Sequence, residues 1–206
     1  WFKDFLDIVG HKNACLIMHT DTKDENGQDL DAIVNELGLM DGQVRFSRDK
    51  YPPEMLAILY NSVDCTICIS DAEGFGLSTF ESLSCGVPII VTMTGGLQEQ
   101  VTDGKDWFGI GIEPASRAII GSQQIPYIYE DRLAQKDVVD ALLKIYNMTK
   151  EERKELGRKG REHVLKNYNF EGYVKKWIEI ITNIHETYGS WDKRKKYQGW
   201  TLRKIS

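Results

Sequence analysis

No stretch of this sequence approaches the roughly 18 consecutive apolar residues that a membrane-spanning helix needs, and no basic-then-apolar leader opens it. A soluble, cytoplasmic chain is expected. Positive charge is not in excess: 26 Lys and Arg face 31 Asp and Glu, a net charge of −5, which argues against nucleic acid as a partner. Cysteine is scarce. Of the four, Cys65 and Cys68 form a CxxC spacing, but Asp64-Cys65-Thr66-Ile67-Cys68-Ile69-Ser70 reads as a short apolar strand, on which residues three apart point to opposite faces. No second CxxC or His pair follows at zinc spacing, so free thiols in a reducing compartment are expected, with no metal implied. There is no internal repeat and no low-complexity segment, which excludes a solenoid, a fibre or a disordered tail. What remains is 206 residues, 41% hydrophobic and 28% charged, enough for one or two compact domains. A chain of this length buries roughly two thirds of its unfolded surface.

Periodicity orders the chain. Phe2, Phe5, Leu6 and Val9 mark a helix, and the apolar run Ala14 to Met18 a buried strand. The same alternation recurs as helix Leu30–Leu37, strand Val44–Phe46, a helix entered by Pro52-Pro53, strand 65–69, helix 77–85, strand 88–92, a short helix near 97–102 and strand 109–112. Strands separated by helices at this spacing predict a doubly wound, Rossmann-like α/β domain with a parallel sheet, whose ligands sit beyond the carboxyl ends of the strands. Residues 113–130 contain two prolines and no clear period and read as a long loop or partial strand. Three helices close the domain at about residue 190: 137–148, one opened by the capping box Thr149 to Glu152 and running to about Asn167, and 171–185. Residues 191–206 form a basic tail with Lys193, Arg194, Lys195, Lys196, Arg203 and Lys204 around Tyr197 and Trp200, read either as a solvated extension or as a surface for a longer chain or a membrane. The opening Trp1-Phe2-Lys3-Asp4-Phe5-Leu6 has no initiator Met and is already helical in period, so the chain reads as a fragment.

The chemistry concentrates in Ser70 to Pro88. Here a strand passes through Glu73-Gly74-Phe75-Gly76-Leu77-Ser78-Thr79 into a helix that carries Glu81. Glycines at 74 and 76 let a ligand approach the main chain, and the first amides of the helix, with the helix dipole, favour an anion there. Ser78 and Thr79 add hydroxyl donors. A carboxylate on each side of an anion-binding turn suits a ligand with phosphates in the middle and hydroxyl-bearing sugars at both ends, because carboxylates accept paired hydrogen bonds from vicinal diols. Solvated surface charges are the alternative reading of Glu73 and Glu81.

The run Glu73-Gly74-Phe75-Gly76-Leu77, then Glu81, Gly86-Val87-Pro88-Ile89-Ile90, Gly95-Gly96 and Glu99, resembles the E-x7-E segment of retaining GT-B glycosyltransferases of the glycosyltransferase 4 family. The likeness extends to Asp103-Gly104 and to a late helix with Gly160-Arg161-Glu162, and covers about residues 1–185. It implies the C-terminal, donor-binding half of a GT-B fold. Glu73 would then lie by the transferred sugar as the catalytic carboxylate, and Gly74, Phe75, Gly76, Leu77 and Ser78 would hold the diphosphate or sugar. Glu81 would grip the ribose, Val44, Arg45, Phe46, Ser47 and Arg48 would border the nucleobase, and Gly95 and Gly96 would line the cleft.

The donor implied is a nucleotide diphosphate sugar, with GDP or UDP as carrier, and the acceptor a glycan, lipid or protein hydroxyl met through an N-terminal domain that is not in this sequence. An Arg and a Lys that neutralise the diphosphate in the family have Lys3 as their only candidate, and His19 is the one histidine at a strand end. The stretch 113–130 departs from the shorter family pattern. Two rivals stay open: a nucleotide-binding module without catalysis of its own, and a GT-B nucleotide-sugar epimerase. A dehydrogenase is disfavoured, because the first strand-to-helix turn lacks GxGxxG. The helix after residue 169 is expected to expose an apolar face around Trp177, Ile180 and Ile181.

Overall fold

Short apolar runs and helical stripes alternate through the first half of the chain, and each becomes an element. The structure, a computed structural model, describes residues 1–25 and 27–195. It contains α1 (Phe2–Val9), β1 (Leu16–His19), α2 (Leu30–Glu36), β2 (Val44–Ser47), α3 (Pro53–Asn61), β3 (Thr66–Cys68), α4 (Leu77–Ser84), β4 (Ile89–Thr92), α5 (Leu97–Val101) and β5 (Gly109–Ile112). A hairpin of β6 (Ser116–Ile120) and β7 (Ile128–Arg132) follows, then α6 (Gln135–Asn147), α7 (Lys150–Asn167) and α8 (Phe170–Tyr188). The chain divides into two compact units, Trp1–Glu162 and a second that begins at His163. Of the basic tail, Lys196, Tyr197, Trp200, Arg203 and Lys204 lie outside the described residues.

The parallel α/β arrangement expected from the sequence holds, with its strands hydrogen-bonded as two ladders. Strand β1 pairs with β2 in parallel, and β4 lies between β3 and β5, parallel to both. Centrality explains composition: Ile89, Ile90 and Val91 on β4 are fully buried, so both faces of the strand are apolar. Each such side chain contributes about 1.5–3 kcal/mol by leaving water. On the core around Ile90 and Ile110 close Phe5 and Leu6 of α1 and Val138, Val139, Leu142 and Ile145 of α6. The short β3–β4–β5 register sets Cys68 opposite Val91 and Thr92 opposite Ile112, so the loops after these three strands leave one edge together.

Of the two readings of residues 113–130, the long loop is corrected and the partial strand extended to a hairpin: Ser116 to Ile120 pairs antiparallel with Ile128 to Arg132, Ile119 opposite Tyr129 and Arg117 opposite Asp131. The strands were hidden because β6 is open to solvent on both faces, so burial imposes no alternation for the sequence to record. The capping box forms as expected: the Thr149 amide donates to Glu152 Oε2 at 2.7 Å and the Glu152 amide to Thr149 Oγ1 at 3.2 Å. The Thr149 amide, and after it the Thr149 hydroxyl, donate to the Glu152 carboxylate and hold it below its usual range. In the second unit, α8 has no buried residue, and Trp177, Ile180 and Ile181 are exposed.

All four cysteines are free thiols, and Cys15 is exposed. Burial, aided by the neighbouring Asp64 carboxylate, pushes the Cys65 thiol up to about 12. Since the thiolate is the nucleophile, iodoacetamide at pH 8 is expected to label Cys65 at least about a hundredfold more slowly than Cys15, with the Cys65 rate rising roughly tenfold per pH unit between pH 7 and 9. Peptide mapping by mass spectrometry checks this; equal labelling would mean that Cys65 is not held in the fold as described.

Candidate active site

Two loops from the shared edge of β3 and β4 build the site. Residues 69–76 lead from β3 into α4, and residues 93–96 lead from β4 into α5. They touch backbone to backbone. The Gly96 amide donates to the Gly74 carbonyl at 3.1 Å, a Cβ on Gly95 would collide with the Glu73 carbonyl oxygen, and one on Gly96 would lie 2.8 Å from the Gly74 carbonyl oxygen. Gly95 also has φ +47°, which adds conformational strain for any other residue. Only glycine serves there, so the two loops form one seat.

Beneath the seat lies a polar clasp that sequence reasoning missed. Gln100, fully buried on α5, donates from Nε2 to the carbonyls of Phe75 at 2.6 Å and Gly76 at 3.1 Å. Thr79, equally buried on α4, donates to the Gln100 Oε1 at 2.7 Å and lies 2.9 Å from the Gly76 carbonyl. A buried amide is costly unless bonded, and here it donates to the Phe75 carbonyl and shares the Gly76 carbonyl with the Phe80 amide. The readable signal was a glutamine on the core-facing side of α5, beside Leu97 and Val101.

On this seat Glu73 is half-buried and its Oε1 accepts from the Gly76 amide at 3.1 Å, which holds the carboxylate against the start of α4. Gly76 caps α4 in the left-handed conformation, and the exposed Leu77 and Ser78 open its first turn, where free amides and the helix dipole favour negative charge. Phe75, partly exposed, packs its ring 5.3 Å from that of Phe80. Glu81 is exposed one face along the helix, and the Tyr60 hydroxyl of α3 donates to its Oε2 at 2.9 Å. Burial first, and Glu81 second, raise the Tyr60 phenol, so it stays protonated as a donor. Among the described residues no group of three or more His, Cys, Asp and Glu is placed to hold a metal ion.

The other expected site residues lie on the β1–β2 ladder. Val44, Arg45, Phe46 and Ser47 are β2 itself, with Arg45 exposed and Arg48 just beyond. Their side chains have partners of their own: Ser47 Oγ is 2.9 Å from His19 Nδ1, the His19 ring stacks on Tyr51 at 5.0 Å, and Arg48 pairs with Asp31 at 2.7 Å and lies over the Phe46 ring. Lys3 pairs with Asp7 on α1 at 2.7 Å.

The hairpin joins the site, which sequence gave no reason to expect. The Asp131 amide donates to the Asp71 carbonyl at 2.7 Å, and Arg132 binds the Asp71 carboxylate at 2.6 Å and that of Glu130 at 2.6 Å. Arg117 pairs with Asp131 at 2.8 Å. The Arg117 guanidinium, and after it the Thr94 hydroxyl, hold the Asp131 carboxyl below the usual carboxylate range. Strand β7 therefore braces both loops, 71 through Arg132 and 94 through Asp131.

With that geometry in place, likeness to known proteins becomes informative. The family described as glycosyl transferases group 1 matches residues 5–163. The D-inositol 3-phosphate glycosyltransferase of Thermomonospora curvata is 38% identical over 92 residues, 44% of this chain and 21% of that protein. The matched stretch thus covers only about a fifth of the length of that relative. Among solved structures, sucrose-phosphate synthase from Thermosynechococcus elongatus superposes with a TM-score of 0.63 at 22% identity over 89% of this chain and 43% of its own. Anabaena HepE, in complex with UDP and glucose, does so with 0.56 at 15% identity over 88% and 52%. These two likenesses carry the GT-B fold, and the family match carries the rest: this chain belongs to the group 1 glycosyl transferases.

Proposed function

We propose that the chain is the nucleotide-sugar-binding half of a retaining glycosyltransferase of the glycosyltransferase 4 type, working in the cytoplasm and moving a sugar from a nucleoside diphosphate carrier to an acceptor hydroxyl. One observation carries the reading: a half-buried carboxylate, Glu73, is held by the Gly76 amide at the open amino end of α4, on a seat made of glycine backbone. The chemical difficulty in sugar transfer is the charge left on the diphosphate as the glycosidic bond breaks. Preorganised amides at the start of α4 answer that charge, each such donor being worth about 3–4 kcal/mol in a closed site. As the sugar becomes cationic at its anomeric carbon, Glu73 stabilises or orients it, while Glu81 accepts from ribose hydroxyls. The relatives named as glycosyltransferases, and the nucleotide in the Anabaena structure, support this assignment. The acceptor half belongs to the remainder of a longer protein.

The test is a thermal-shift and calorimetry panel of UDP, GDP and ADP on the chain. One nucleotide is expected to stabilise it by about 2.7 kcal/mol at a hundredfold excess over its Kd, with no turnover of the corresponding nucleotide sugar by this chain alone. Absence of binding by all three to the folded chain would overturn the proposal.

A further inference from the structure

We infer that a second recognition site exists beside the seat: a saccharide subsite between the Met93–Gln98 turn and the root of the β6–β7 hairpin, taking a neutral, hydroxyl-rich ring. The inference goes beyond the nucleotide site and rests on the glycosyltransferase reading for the origin of that ring. A cavity of about 510 Å³ opens here, within the range of small-molecule sites. Its polar lining comes from Thr94 and Gln98 on one side and Glu113, Ser116, Arg117 and Asp131 on the other.

The lining states what it can bind. Arg117 and Asp131 neutralise one another, which leaves Glu113 to make the walls net negative, so phosphates and carboxylates are repelled. Arg117 binds Asp131 through Nε, and its side chain is 64% exposed, so the guanidinium keeps N–H groups beyond the one spent on Asp131. A guanidinium that donates, a carboxylate that accepts, and hydroxyl and amide groups that do both match the alternating donors and acceptors of a sugar ring. Position matters as well. Gly95, also in the lining, is the residue pressed on the Glu73 carbonyl, so the cavity shares a wall with the proposed catalytic loop. Half of the cavity is turn and half is hairpin, the stretch that departs from the shorter family pattern, so the ring it selects is a specificity of this chain.

Two sources supply such a ring, the donor sugar and the acceptor, and the experiment separates them. The full-length protein and its Glu113→Gln and Ser116→Ala variants, both changes at exposed positions, would be titrated by calorimetry and saturation-transfer NMR. The probes are UDP, UDP-glucose, UDP-N-acetylglucosamine, GDP, GDP-mannose and the methyl glycosides of glucose, mannose, galactose and N-acetylglucosamine. The variants are expected to lose about tenfold or more in affinity for a sugar while nucleotide binding is unchanged. A loss confined to the nucleotide sugars assigns the donor, and a loss confined to a free glycoside assigns the acceptor. Wild-type sugar affinity in both variants, or no sugar bound by the wild type, overturns the subsite even where UDP or GDP binds. Glycoside binding that is sensitive to Glu113→Gln with no nucleotide bound keeps the subsite and removes the nucleotide-sugar reading instead.

Discussion

Gly157→Ala is expected to lower the melting temperature of the chain by roughly 4–8 °C, a loss of about 2 kcal/mol or more for a chain of this size. On helix propensity alone the change would stabilise, since alanine is favoured over glycine by about 1 kcal/mol in a helix interior. Packing reverses the sign. A Cβ at 157 would overlap the Gly86 carbonyl oxygen and stand 3.2 Å from the Pro88 ring, and the first of these is backbone that cannot step aside. One turn on, Gly160 meets Leu83 in the same way, with a Cβ placed 2.5 Å from its Cδ2, and Arg161 donates to the Ser84 carbonyl. Helix α7 is thus laid closely along the end of α4, the helix whose other end holds the site. Gly74→Ala, where a Cβ meets nothing within 4 Å and φ is not in the left-handed region, serves as the control and is expected to leave stability nearly unchanged. A melting temperature that rises in Gly157→Ala, measured by calorimetric scanning, would contradict the close approach of α7 to the Gly86 turn.

Glu73→Gln in the full-length enzyme is expected to reduce turnover by about 10²–10³, with nucleotide affinity within about threefold of wild type. The substitution is chosen to separate charge from shape. A glutamine Oε1 still accepts from the Gly76 amide as Glu73 does at 3.1 Å, so the loop keeps its form and only the negative charge is removed. If that charge acts on a cation developing in the transition state, the loss falls on kcat and not on binding. On the proposed ribose contact, Glu81→Gln should behave in the opposite way, weakening the donor about tenfold with turnover at saturation nearly intact, because such a hydroxyl would be bound equally in ground and transition states. Steady-state kinetics with the nucleotide sugar selected by the binding panel resolve both. Unchanged turnover in Glu73→Gln would remove the catalytic assignment and leave a binding domain.

Why some of this was legible in the sequence and some was not follows from what each residue answers to. The strands β1, β2, β4 and β5 and the helices that alternate with them are at least partly covered on one or both faces, and that covering writes a period that can be read. The loop from Glu73 to Ser78 was legible because glycine stands out in a strand-to-helix turn, and at Gly76 the left-handed backbone and the closeness of Leu97 and Thr79 do exclude a side chain, whereas Gly74 has room for one. The hairpin was not legible, since Arg117, Glu130, Asp131 and Arg132 act through ion pairs with partners as distant in sequence as Asp71, and charge pairing leaves no period. Gln100 and Thr79 were missed for a related reason. Each reads locally as an ordinary polar helix residue, and only the fold shows that both are fully buried under Phe75 and Gly76. The expected border at Val44 to Arg48 took its role from likeness, and two of its side chains, Ser47 and Arg48, are engaged with His19 and Asp31, so a nucleobase there would have to compete with existing partners.

The contact between Gly95 and Gly96 and the loop above them is made with the carbonyls of Glu73 and Gly74, not with any side chain. Scaffold and reagent are therefore separable at this point. The meeting of the two turns is made by main-chain atoms common to all residues, so this contact does not depend on which side chain stands at position 73. Such a seat lets the side chain at position 73 be exchanged with little change to the contact beneath it, which makes this turn a practical place to graft a different carboxylate, amide or thiol.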